Sequence, residues 1–427
     1  MTAMPEKDVQ PFPGRGGTKV WLVAVLCAAL GAGAAAGWRK SRKTPAARET
    51  RHEFNVMRTT GRFILASSAA DGRNPADLCG RAEAEVRDIE ARMSPFLKGS
   101  DVWRLNHAAP DEWVAVHPLT WRVVMEALRF HRLTGGVFDP TIGPLKQLYF
   151  PDNHPRASAP SEEERAEAAA RVGARHLRYE REGMRLAWAK PGMRLDLSAL
   201  AKGFAVDRAM EVFQAAGVRD VLVEIGGELR LAGTVPAAGL SRREAGVGAG
   251  DARRPWRLEV LDPRRPDLPE AERQYLVRTD GSVATSGDYE QYFEDGGRRY
   301  SHLIDPRAGR PADGAAAATV VFPGPCMLAD AMATTLCVLG PKAGAAWMLE
   351  RADDLLSDGA EAWVYWVEDG EVKRERLVIP GDGLTRMMPE ADAALLPPPP
   401  ARVPANALAA ENEAAEESRW LRSVLGR

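Results

Sequence analysis

Cysteine is scarce in this chain. There are four in 427 residues (Cys27, Cys79, Cys326 and Cys337), with no CxxC pair and no metal-type spacing. That excludes a disulfide-stapled scaffold and a zinc module. Neither sign of charge is in excess: 57 Lys and Arg stand against 59 Asp and Glu. A dedicated nucleic-acid binder, with its strong basic surplus, is therefore excluded. Long apolar runs are also nearly absent. Only residues 20–37 (VWLVAVLCAALGAGAAAG) lack charge throughout, so a many-span membrane protein is excluded. No Walker A glycine pattern and no repeat of roughly 20–50 residues occurs. What is present is a 45% hydrophobic fraction, enough for a substantial core.

The apolar run reads as a transmembrane anchor or as a signal segment cleaved after Ala34-Ala35-Ala36. Leu26 before Cys27 disfavours a lipoprotein anchor. Lys7, Arg15 and Lys19 precede the run, and Arg39, Lys40, Arg42 and Lys43 follow it, so charge alone leans toward a cytoplasmic C-terminal side. The expected organisation is a tail at 1–19, the membrane or signal segment at 20–37, a charged linker at 38–54, a folded domain at 55–380 and a Pro/Ala-rich tail at 381–427. Within the domain, apolar spacing predicts helices over 76–93, 119–134, 161–172 and 199–216. The third opens on Ser161 and Glu164, a capping-box pair. Strands are expected at 218–225, 256–261 and 319–322. A hairpin is expected from 362–367 and 372–379 about Asp369-Gly370. Helices and strands mix without a βαβ rhythm, which gives an α+β fold.

Five stretches carry candidate chemistry. Met93-Ser94-Pro95-Phe96 leaves a helix with an aromatic able to face a flat ligand; a capped loop explains it as well. GGVFDPTIGPL at 135–145 crowds three glycines, two prolines and Asp139 into a rigid loop, either a binding edge or a structural turn. DLSALAKGFAVD at 196–207 opens a helix where free N–H groups favour anions, with Lys202 near the start. VATSGDY at 283–289 and HLIDPRAG at 302–309 place His302 near several hydroxyls, as a base or as a hydrogen-bonding loop residue. In DAMATT at 330–335, Asp330 and Thr334 are one helical turn apart, a spacing that suits Mg²⁺ but also an ordinary cap.

Taken in order, these stretches and the pair Gly226-Gly227 resemble the FAD:protein FMN transferase family, the ApbE-type flavin transferases, over about residues 55–379. The resemblance implies an α+β fold of two related, T-fold-like halves enclosing a flavin site, behind an N-terminal hydrophobic helix. It implies FAD as substrate and Mg²⁺ as cofactor, with FMN moved to a Thr or Ser hydroxyl of an acceptor protein and AMP released. Phe96, Val137, Phe138, Asp139, Asp196, Lys202 and Ile304 then match FAD contacts. Ala199, Asp330 and Thr334 match the metal site, with Ala333 beside them, and His302 matches a proton-transferring histidine. The acceptor would be a membrane electron-transfer subunit. The catalytic part would lie on the extracytoplasmic face of a bacterial inner membrane, against the charge bias above. An FAD pyrophosphatase and a non-catalytic, membrane-tethered flavin binder are the alternatives. Three positions depart from the family pattern: Arg58 in place of a Gly, Phe96 in place of a Tyr, and Ser301 in place of a second His.

Overall fold

The computed structural model describes residues 49–66, 74–236, 253–351, 353 and 355–381. The expected segments at 1–19 and 20–37, and the tail from 382, lie outside the described residues. Among the described residues no helix is long and apolar enough to cross a membrane.

Eight strands form one antiparallel sheet, ordered in space as they are in the chain. They are β1 (Thr50–Val56), β2 (Thr59–Leu65), β3 (Val221–Ile225), β4 (Glu228–Ala232), β5 (Asp280–Gly287), β6 (Ala317–Phe322), β7 (Ala360–Glu368) and β8 (Glu371–Ile379). The first described strand starts at Thr50, inside the stretch expected to be linker. Three helices bear on the sheet: α1 (Pro75–Met93), α2 (Ser198–Ala215) and α3 (Cys326–Glu350). Of these elements, the chain runs β1-β2-α1-α2-β3-β4 and then β5-β6-α3-β7-β8. With α1 set aside as an addition to the first, each half is two strands, a helix and two strands.

Strand alternation sorts the side chains. Val221, Val223, Ile225, Val320, Ala362 and Val364 join the main core with the helices. Leu222, Leu231, Val321 and Tyr365, which project to the other face, join two smaller clusters. There they meet Trp256, Val260 and Leu276 of a hairpin, Trp256–Val260 paired with Gln274–Arg278. Coverage on both faces explains why every residue of β6 is buried.

Most expected elements form with small shifts. The Ser161–Glu164 capping box is present, but its helix stops at Ala169, because only Ala168 on it is buried and little packing extends it. Asp369 (φ 53°) and Gly370 (φ 79°) make the expected hairpin turn. Helix α3 is far longer than DAMATT suggested. It kinks at Gly340 (φ 73°), just before Pro341.

Candidate active site

The second and third stretches are tied to each other. The Asp139 carboxylate accepts from the Thr141 N–H (2.8 Å) and hydroxyl (2.6 Å) and from the Ala174 N–H (3.3 Å). The loop is thereby closed on itself. The Pro140 carbonyl then accepts the Asp196 N–H at 2.8 Å. A Cβ on Gly143 would stand 2.6 Å from Arg194, so the two chains pass too closely for a side chain there. Asp196 meets Lys146 at 3.0 Å and the Ser198 N–H at 2.8 Å. Burial would raise its carboxyl, but Lys146 and Ser198 outweigh that and hold it below the usual range.

Helices α2 and α3 touch at Gly203. An added Cβ would lie 2.5 Å from the Cys326 carbonyl oxygen and 2.7 Å from the Met327 Cα. Asp207, one turn on, accepts from the N–H groups of Cys326 (2.9 Å) and Met327 (3.0 Å) and from Arg230 (2.8 Å). It therefore caps α3 from a neighbouring helix. This crossing delivers Asp330, which is 2% exposed, to the Gly203 N–H at 3.2 Å. Beside it, Lys202 Nζ donates to Glu228 Oε1 at 2.7 Å. Burial alone would lower the Lys202 pKa. Glu228, then Asp330 and Glu290, outweigh it and hold the ammonium above its ordinary range. Burial lifts the Asp330 carboxyl to about 6 against the pull of Lys202. Burial likewise raises Glu228, and its Oε2 is buried with no hydrogen-bond partner among the described residues. Thr334 Oγ1 lies 3.1 Å from Ser286 Oγ on β5.

His302 is set by the segment between β5 and β6. Its backbone N–H donates to the Gln291 carbonyl at 3.0 Å, and its Nδ1 sits 3.3 Å from the same oxygen. A carbonyl only accepts, so Nδ1 carries the hydrogen and Nε2 keeps its lone pair. Burial, and then Lys146 and Lys202, push its pKa down to about 3. Phe96, 45% exposed, stands in the loop after α1. Phe96, Asp139, Lys146, Asp196, Lys202, Ser286, His302, Asp330 and Thr334 line one cleft of about 1260 Å³. It has what small-molecule sites share, an apolar and aromatic wall with a few converging polar groups.

The sequence profile of the ApbE family matches residues 57–356. The chain belongs to the ApbE family. The FAD:protein FMN transferase of Vibrio cholerae is 36% identical over 288 residues, which are 67% of this chain and 79% of that protein. The one from Escherichia coli K12 is 30% identical over 291 residues, 67% of this chain and 78% of that protein. Among solved structures, the flavin transferase ApbE from Vibrio cholerae superposes with a TM-score of 0.64 at 30% identity, covering 78% of this chain and 97% of that one. The apo form of the Pseudomonas stutzeri flavinyl transferase ApbE gives 0.64 at 29%, covering 77% and 95%. By family, then, the chain is a transferase with an ApbE-type α+β fold.

Of the residues matched to the ApbE pattern, Phe96, Val137, Phe138, Asp139, Asp196, Ala199, Lys202, His302, Ile304, Asp330 and Thr334 all line the cleft. Ala333 does not. It is fully buried in the main core. Lys202, near the anion-favouring helix start, is ion-paired with Glu228 in the structure. Ile304 is buried in an apolar cluster with Leu145, Tyr149 and Phe293. Glu228, Ser286, Gln291 and Lys146 were not singled out. The one signal for Glu228 is a carboxylate directly after the Gly226-Gly227 turn, at the head of a short strand (ELRLA).

Proposed function

We propose that this chain is an FAD:protein FMN transferase. It splits FAD, moves FMN to a Thr or Ser hydroxyl of an acceptor protein, releases AMP and depends on Mg²⁺. The observation that carries this reading is one cleft in which a neutral histidine, a lysine and the Asp330–Thr334 pair converge in a chain of the ApbE family. Among the described residues no three His, Cys, Asp or Glu side chains are grouped to hold a metal ion. The set proposed here needs one carboxylate from Asp330, the Thr334 hydroxyl and the Ala199 carbonyl. A hard cation that keeps waters and phosphate ligands suits so sparse a set. The partnerless Glu228 Oε2 beside Lys202 fits it too, as a buried acceptor short of positive charge. Bound there, Mg²⁺ would neutralise charge on the diphosphate.

The chain's own groups do the rest. Phe96 offers a face to the flavin ring. Lys202, Asp196 and the 137–139 loop position the dinucleotide between them. The acceptor oxygen attacks the phosphorus on the riboflavin side as its proton passes to His302 Nε2. The bond to the AMP phosphate breaks in the same step. Burial, and then Lys146 and Lys202, hold His302 near 3 in the free protein; the anionic diphosphate offsets the part due to the lysines and raises it.

The acceptor is then a membrane electron-transfer subunit, and the catalytic part works outside the bacterial inner membrane. Protease accessibility on spheroplasts tests the placement. Intact-mass analysis of an acceptor domain incubated with FAD, Mg²⁺ and enzyme tests the activity. The parent adds one FMN, and Asp330→Ala adds none. Full transfer by Asp330→Ala would remove the metal assignment, and free FMN with an unlabelled acceptor would point to hydrolysis instead.

A further inference from the structure

The turn between β1 and β2 is built from two consecutive non-glycine residues in the left-handed region, Met57 (φ 49°) and Arg58 (φ 61°). Two-residue hairpins of this kind favour Asn-Gly or Asp-Gly, because both positions crowd an L side chain. The Met57 N–H donates to Glu90 Oε1 at 2.7 Å, which anchors the turn to α1. A strained backbone that survives at the rim of a functional cleft invites the question of what its side chain does.

Arg58 is exposed and forms no hydrogen bond or ion pair with any described residue. Its guanidinium lies over the Phe96 ring, with Cζ 5.3 Å from the centroid. Both residues line the cleft. The turn therefore brings an uncompensated planar cation to the exposed aromatic of the cleft. Arg62, Lys146 and Lys202, which line the same cleft, are all ion-paired.

We propose that Arg58 is a specificity-determining binding residue for the flavin half of the dinucleotide. Its planar fork of N–H donors and the Phe96 ring form one edge that receives the isoalloxazine. The guanidinium donates to the ring's carbonyl oxygens, and the aromatic packs against its face. The adenosine half takes no part in this contact. The inference rests on the FAD reading above and adds to it a residue that discriminates between the ligand's two ends.

Calorimetric titration of FAD and of ADP into the parent, Arg58→Gly and Arg58→Lys, with a thermal melt of each, tests it. Glycine tolerates the left-handed turn, so Arg58→Gly should melt at or above the parent temperature. It should nonetheless bind FAD about 3- to 10-fold more weakly, the scale of a lost cation–π and hydrogen-bond contact. ADP affinity should not move. Arg58→Lys should remain weakened for FAD, since an ammonium lacks the fork. Unchanged FAD affinity in Arg58→Gly overturns the proposal while leaving the transferase reading intact. Equal losses for ADP and FAD overturn it too, by placing Arg58 at the diphosphate. A parent that binds no FAD overturns both.

Discussion

As the proposed general base, His302 has to be neutral, and the structure keeps it so. The Gln291 carbonyl fixes the tautomer, and burial with Lys146 and Lys202 lowers the pKa to about 3 from an ordinary 6.5. Between those two values the unfolded chain takes up a proton that the folded chain refuses. Stability therefore falls as pH drops through that window, by at most about 1.4 kcal/mol per pH unit. Asp330 acts in the opposite sense. With its carboxyl raised from 3.8 to about 6, the folded chain holds a proton that the unfolded chain has released. The two slopes partly cancel in the parent, and removing His302 exposes the second. His302→Gln should thus gain stability relative to the parent on going from about pH 6.5 to about pH 4.5 in urea titrations without ligand. It should also transfer FMN about 10²–10⁴-fold more slowly while still binding FAD, as expected for a lost general base. An identical stability offset at both pH values would mean the imidazole is not held neutral. An unchanged rate would remove it from proton transfer.

The contact between α2 and α3 is the element on which the site depends. Gly203 lets the helices approach until its N–H reaches Asp330, and Asp207 closes the start of α3. Gly203→Ala meets backbone atoms, not a flexible side-chain end, so the helices must move apart. A loss of about 1–3 kcal/mol is expected from overpacking, in excess of alanine's helix-propensity gain. Transfer should fall further than stability does, because Asp330 is carried away from Lys202. A denaturant titration beside an activity assay decides this: full activity with lowered stability would show that the helix spacing does not set the site. Element by element, legibility in the sequence followed local chemistry. The Ser161–Glu164 box and the Asp369-Gly370 turn were readable because their own residues make the geometry. The first hairpin was not, since Met57-Arg58 is a turn without turn residues. Most of α3 was not either. Buried on several sides, it has too little polar face to show a helical period.

At the scale of the molecule, the two ββαββ halves share one sheet and one core, and the cleft takes groups from both. Lys202 and Asp196 come from the first half, Asp330, Thr334 and Ser286 from the second. This is why the motifs were legible as separate stretches and the buried charge cluster was not. Nothing near Glu228 in the chain announces Lys202 or Asp330, and only the fold makes them neighbours. The same arrangement has a thermodynamic consequence. A ligand gripped by both halves stabilises their junction, so it cannot stabilise one and spare the other. Calorimetry should give a single unfolding transition without ligand, because the sheet continues across the boundary through β4 and β5, paired from Asp280–Ala232 to Val283–Leu229. FAD with Mg²⁺ at about 100 times its dissociation constant should raise the whole transition, adding about 2.7 kcal/mol to the free energy of unfolding. Asp330→Ala should lose most of the Mg²⁺-dependent part of that gain and keep the part due to the flavin ring. Two resolved transitions, only one of them moved by ligand, would show that the halves unfold separately and that the cleft belongs to one of them.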